Sequence, residues 1–203
     1  MEKEALDTIL SEQLMAVAEA GMHNAARGFS DMVNVNLTVT DPTVRSVPFT
    51  SVQSILGGPE NEAVGIYLRS EGDLAGQFMM IVPLAKALEL VDLIMGLPSP
   101  TTQTLGPLER SALAEVGYLT GSFFLNAAAA ISGLEARPTP PAVVVDMIGA
   151  ILDILVLTWD GVTDNILLVE ATFLQGERGI KANFWVIPDH STLEAVRRKK
   201  RNE

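Results

Sequence analysis

Apolar positions along the first seventh of the chain recur at intervals of three and four. Leu6, Leu10, Leu14, Val17, Gly21 and Ala25 share one helical face, which predicts an amphipathic helix over residues 4–28. The period then changes to two. Val33, Val35, Leu37 and Val39 alternate with polar residues, the mark of a half-buried strand over 33–40. Further strands are predicted at 48–54, 63–70 and 76–83, and a helix at 84–96 that Gly96 and Pro98 bring to an end. The Ser/Pro/Thr-rich stretch 97–105 is the best linker candidate. A second long helix follows over 107–132, stopped by Gly133. After the Pro138-Thr139-Pro140-Pro141 turn come a short apolar helix at 142–153, strands at 165–174 and 181–188, and a basic C-terminal helix from about 191.

The second half of this order repeats the first. Phe78-Met79-Met80-Ile81-Val82-Pro83 leads into a helix, and so does Phe184-Trp185-Val186-Ile187-Pro188. The expected fold is therefore α+β with a pseudo-two-fold repeat. One mainly antiparallel sheet carries two long helices and shorter helices, packed on one side of it. The expected organisation is a single domain over residues 1–203, built of two pseudo-repeats at about 1–98 and 106–203.

Composition narrows the chemistry. The net charge is −11, with 48% hydrophobic and 19% charged residues. That is too apolar for a disordered chain, and too acidic overall to favour a nucleic-acid backbone. The cysteine count is 0, which removes disulfides, thiolate nucleophiles and cysteine-ligated zinc. The two histidines, His23 and His190, are far apart, so no metal site is expected. The most apolar stretch, Ala142 to Trp159, is interrupted by Asp146 and Asp153 and falls short of a membrane span. The N-terminus has no basic region followed by an apolar one, so a cytoplasmic location without membrane attachment is expected. The basic run Arg197 to Arg201 reads as a solvated helix end, where cations complement the dipole.

On a helical wheel, Ser111, Glu115, Tyr118 and Ser122 fall in one narrow stripe of helix 107–132, opposite Leu113, Val116, Thr120 and Phe124. On helix 4–28, Glu12, Ala16, Glu19 and His23 form the corresponding stripe, opposite Leu10, Leu14, Val17, Gly21 and Ala25. Gly21, Gly117 and Gly121 sit inside helical patterns, where glycine costs up to about 1 kcal/mol relative to alanine. Close approach of a helix to its neighbours is the expected reason.

Ser111-Ala-Leu-Ala-Glu115-Val-Gly117-Tyr118 resembles the signature helix of the CheC family of chemotaxis phosphatases. That signature is Asp or Ser, three residues, Glu, two residues, Asn, then Pro about 22 residues later. Ser111 and Glu115 match, and Pro140 lies 22 residues after Tyr118 (140 − 118). Val145-Asp146-Met147-Ile148-Gly149-Ala150-Ile151 and Gly21-x-x-Asn24-Ala25-Ala26 are also similar to the family. The letters depart from the pattern at the catalytic positions. Tyr118 stands where the signature has its amide. In the first half Ala16 replaces the carboxylate and Glu19 the amide, with Pro42 following 23 residues later (42 − 19).

The resemblance implies a protein that acts on the aspartyl phosphate of a CheY-like receiver. The receiver supplies the phosphoryl group, a Mg²⁺ ion and a lysine, so no cofactor is implied on this chain. The phosphatase supplies a carboxylate for that lysine and an amide that aims a water at phosphorus. Both residue types suit the task, because an amide donates and accepts and a carboxylate one turn away anchors a cation. The candidate second site is thus Ser111, Glu115 and Tyr118, and the candidate first site Glu12 and Glu19. A phenol can also donate and accept, though it is bulkier. The negative charge of Glu19 opposes incoming phosphoryl oxygens. Asp146 and Pro140 are implied partner-binding residues, since the added helix of the family is similar to the surface that binds the deamidase CheD.

Three functions follow from different classes. The first is a phosphatase of phosphorylated receivers, weakened by the motif changes. The second is a non-catalytic binding or scaffold protein for a receiver or a CheD-type deamidase. The third is a structural role resembling the related flagellar-switch proteins.

Overall fold

The computed structural model describes residues 38–158, 165–175 and 178–189, together with Val17, Ala20, Gly21, His23, Asn24, Ser191, Thr192, Glu194, Ala195 and Arg198. The strands are β1 (Thr38–Pro48), β2 (Glu62–Gly72), β3 (Gly76–Pro83), β4 (Ala136–Pro138), β5 (Ala142–Met147), β6 (Asn165–Gln175) and β7 (Arg178–Pro188). The helices are α1 (Val52–Ile55), preceded by a 3₁₀ turn over Phe49–Ser51, α2 (Leu84–Ile94), α3 (Pro107–Ser132) and α4 (Ile148–Thr158). Most of the predicted first helix lies outside the described residues, but Val17, Ala20, Gly21, His23 and Asn24 are helical.

All strand pairs are antiparallel, in the order β1-β6-β7-β3-β2-β4, with β5 also on β2. Exchanging each strand for its repeat counterpart (β1 for β4 and β5, β6 for β2, β7 for β3) turns this order into its own reverse. The register says the same. Phe78-Met79 corresponds to Phe184-Trp185, and Met79 pairs with Trp185 while Phe78 faces Val186 and Met80 faces Phe184. A pseudo-dyad therefore passes between Met79 and Trp185, and the side chain of Trp185 is fully buried there. The pseudo-two-fold sheet that the repeat implied is present.

Strand alternation sends side chains to two separate cores. Val64, Ile66, Leu68, Phe78, Met80 and Phe184 face α2 and α3. Met79, Ile81, Leu168, Trp185 and Ile187 face Val52 of α1 and Ile148, Ile151 and Leu155 of α4. Helices thus cover both faces, not the one side expected. The reason is the short, almost wholly apolar α4, which has to bury Ile148, Ile151, Leu152 and Leu155 somewhere.

Two segments differ in type from the sequence reading. Residues 48–54 are not a strand: β1 runs to Pro48, and a 3₁₀ turn and α1 follow. The register of β1 shifts between Thr40 and Thr43, where Pro42 cannot donate to the ladder, and resumes beyond it. Residues 142–147 are not helical either. Val143, Val144 and Val145 are β-branched and pair as β5 with Ile66, Gly65 and Val64, so α4 begins only at Ile148. A short apolar run does not distinguish strand from helix by its period alone. Asp146 consequently lies on a strand.

The stretch 97–105 is not a free linker. Asp92, buried at the end of α2, accepts hydrogen bonds from the backbone N–H of Thr101 (2.9 Å) and Thr102 (2.8 Å) and from the Thr102 hydroxyl (2.6 Å). These donors, the Thr101 N–H foremost, hold its carboxyl below the ordinary value of 3.8 despite burial. Because the folded-state pKa is depressed, the stabilisation is complete above about pH 4 and is lost as pH falls through the folded value. Asp92→Asn is expected to lower the melting temperature at pH 7 and to flatten its acid dependence below pH 4. Thermal melts from pH 2 to 7 measure both.

On the other side of the dyad, Glu170 of β6 bridges Lys181 of β7 and Arg45 of β1, each at 2.9 Å. Burial opposes its ionised form, but Lys181 and then Arg45 outweigh it and lower its pKa. No helix among the described residues is long and apolar enough to cross a membrane.

Candidate functional site

The candidate site is built on α3. Pro107 opens the helix at a position whose N–H would lack a partner in any case, Glu109 complements the first turn, and Gly133 closes it in the left-handed conformation (φ 62°). Its inner face is seated on β2 by two glycines. A Cβ on Gly117 would lie 2.3 Å from Ile66 Cγ2, and one on Gly121 would lie 2.7 Å from Leu68 Cδ2. With Leu113, Val116, Thr120 and Phe124 also buried, the opposite stripe has to face outward.

The outward stripe carries the predicted residues. Ser111 and Glu115 are exposed, and Tyr118 and Ser122 are half-buried. Glu115 and Tyr118 are about 4.5 Å apart along the helix axis. Glu115 has no ion-pair partner among the described residues, so its charge is available to a visiting cation. The pattern did not single out Leu108. It is 62% exposed and lies two turns before Glu115 on the same line, which gives the stripe an apolar end. The i−7 spacing was the signal that would have found it.

Glu12, Ala16 and Glu19 lie outside the described residues. The neighbouring positions keep the sense of the predicted wheel: Val17 and Gly21 are buried, and Ala20 and His23 are exposed. A Cβ on Gly21 would lie 2.7 Å from Phe124 Cα, so this glycine lets the first helix meet α3 at the backbone. The expected reason for all three helical glycines is met.

Asp146 and Pro140 are not brought to the α3 stripe. Pro140 is exposed in the β4–β5 connection, beside Thr139, whose N–H donates to the Arg69 carbonyl at 2.8 Å. Asp146 is exposed near the end of β5, opposite Ala63, and its Oδ1 accepts from the Met147 N–H at 2.7 Å. It projects to the α4 side of the sheet. There α4 is anchored by Ile148 and Gly149, whose N–H groups donate to the Asn61 and Pro59 carbonyls, each at 2.9 Å. Outward from it, near its end, stand Val156 and Leu157, the latter 85% exposed, and Met147 at the end of β5 is exposed as well. The chain thus presents two separate surfaces: a polar stripe on α3 and an apolar one on α4. Among the described residues, no group of three or more His, Asp or Glu is placed to hold a metal ion.

This fold recurs in solved structures. FliY of Thermotoga maritima superposes with a TM-score of 0.72 at 20% identity, covering 95% of this chain and 96% of that one. A chain of the CheX–CheY–BeF₃–Mg²⁺ complex from Borrelia burgdorferi gives 0.53 at 14% identity, covering 87% of this chain and 99% of that one. The FliM middle domain of Vibrio alginolyticus gives 0.64 at 14%, covering 92% and 99%. No family model matches the chain. In sequence, the CheY-P phosphatase CheC of Bacillus subtilis (strain 168) is 25% identical over 187 residues, 90% of each protein. The pseudo-dyadic sheet carrying a long helix with an outward polar stripe is thus the fold seen in FliY, CheX and the FliM middle domain, and in sequence the chain is similar to CheC over nine-tenths of its length.

Proposed function

We propose that this chain binds a phosphorylated CheY-like receiver through the α3 stripe and accelerates loss of its aspartyl phosphate weakly. The observation that carries the reading is Glu115: exposed, unpaired among the described residues, and one turn from a side chain able to hold water. Its carboxylate engages the receiver's lysine in a charge-assisted hydrogen bond. The Tyr118 hydroxyl takes the place of an amide, donating and accepting, and orients a water in line with phosphorus. Ser111 borders the contact one turn before Glu115. The receiver brings its own Mg²⁺, and the encounter takes place in the cytoplasm.

The test is phosphate release from a phosphorylated receiver with Mg²⁺, with and without the protein. Glu115→Ala is expected to reduce any acceleration about tenfold, the worth of one hydrogen bond to a charged group. No acceleration at saturating protein would remove catalysis from the reading and leave receiver binding, which calorimetry measures separately.

A second surface favours a second partner. Val156 and Leu157, near the end of α4, expose apolar area that a single chain leaves to water. A CheD-type deamidase is the partner proposed for that face, with Asp146 and Pro140 at its rim. Loss of binding in Leu157→Asp, with the receiver assay unchanged, is the expected separation of the two surfaces.

A further inference from the structure

Two large apolar side chains of α3 are exposed, Leu108 at 62% and Ile131 at 46%. They lie on opposite lines of the helix. Ile131 follows Phe124 by seven residues (131 − 124), so it continues the line that packs on the sheet. Leu108 precedes Glu115 by seven (115 − 108), on the outward line. Packing on β2 therefore gives no reason for an apolar residue at 108.

The backbone that carries Leu108 is held in place. Gly106 caps the helix and Pro107 fixes its own φ at the first position. The Arg110 N–H donates to the Gly106 carbonyl and its Nε–H to the Leu105 carbonyl, each at 3.0 Å. A side chain on so fixed a backbone loses little freedom when a partner covers it. Leu108 is about 10.5 Å from Glu115 along the axis and about 15 Å from Tyr118. A stable interface covers about 800 Å² of each protein, a disc of about 16 Å radius. A partner centred on either residue covers Leu108 as well.

We infer that Leu108 is a specificity-determining contact of the receiver, which meets it with an apolar side chain about 10 Å from the lysine that pairs with Glu115. The inference rests on the α3 stripe being the receiver's site. An apolar group set against Leu108 gains by leaving water, whereas a charged one loses its hydration and finds no partner. The stripe thus selects a receiver by two features, a cation read by Glu115 and an apolar neighbour read by Leu108. Discrimination of this kind needs the unfavourable pairing as much as the favourable one.

The experiment is calorimetric titration of the full chain with a CheY-type receiver loaded with beryllium fluoride and Mg²⁺. Leu108→Ala is expected to weaken binding roughly tenfold, through the apolar contact that the shorter side chain gives up. Leu108→Met, of similar volume, should stay within about twofold of the wild-type chain. Thermal melts of both variants should match the wild type, because the side chain stands largely in water. If Leu108→Ala binds as the wild type does while Glu115→Ala is weakened, the inference falls and the receiver reading stands. If the wild-type chain binds no receiver, both fall. A Leu108→Met as weak as Leu108→Ala would overturn the inference, since apolar contact is then not what was lost. So would loss of a concentration-dependent dimer in Leu108→Ala with receiver binding unchanged, which would assign the leucine to a second copy of this chain.

Discussion

Tyr118→Asn is expected to raise receiver dephosphorylation by up to about a hundredfold, because a reacting water misplaced by about 1 Å can cost that much. Tyr118 lies one turn after Glu115 on the same outward stripe, and α3 is fixed on the sheet by Gly117 and Gly121. The backbone beneath position 118 therefore does not move to suit its side chain. A phenol carries its oxygen further from that backbone than an amide does, so a water held by Tyr118 lies too far out. An asparagine restores both the shorter reach and the paired donor and acceptor. Measured by phosphate release with a phosphorylated receiver and Mg²⁺, the rate of Tyr118→Asn should fall about tenfold when Glu115→Ala is added. An unchanged rate in Tyr118→Asn would place any chemistry away from this stripe.

The second large effect is structural. Gly117→Ala should destabilise the fold by about 3 kcal/mol, while Gly121→Ala should change it by less than about 1 kcal/mol. The two glycines look alike in sequence but meet different atoms. At Gly117 the new methyl would be 2.3 Å from Ile66 Cγ2 and 3.1 Å from Ile66 Cβ. Ile66 is buried, β-branched and fixed in the central part of β2, so relief requires α3 to lift from the sheet. At Gly121 the nearest atom is Leu68 Cδ2, at 2.7 Å, the far end of a side chain that can rotate. Both substitutions gain about 1 kcal/mol of helix propensity, which offsets the smaller clash but not the larger. Denaturant melts of the two variants compare them directly. Equal stabilities would mean that α3 adjusts as a rigid body.

Much of the fold could be read from the residues. The helical period of 107–132, with Gly133 behind it, marked α3 with its observed ends, and the two Phe-containing strands marked the repeat. The wheel also separated Leu113, Val116, Thr120 and Phe124 from Ser111 and Glu115, as burial does. The errors fell where a local signal is ambiguous. Val143-Val144-Val145 is apolar at every position, and its pairing with β2 decides that it is a strand. Ser99 to Leu105 has the composition of a loose linker, and only the buried Asp92 carboxylate shows that its beginning is tied down.

The sequence by itself determined the repeat, the outward stripe on α3 and the candidate residues Ser111, Glu115 and Tyr118, because these depend on spacing along one chain. Tertiary structure decided what depends on distant segments meeting. It put helices on both faces of the sheet and separated Asp146 from the α3 stripe by placing it on the α4 side. A side chain's period fixes which way it points from its own element. What it meets there is set by the packing of elements far away in sequence.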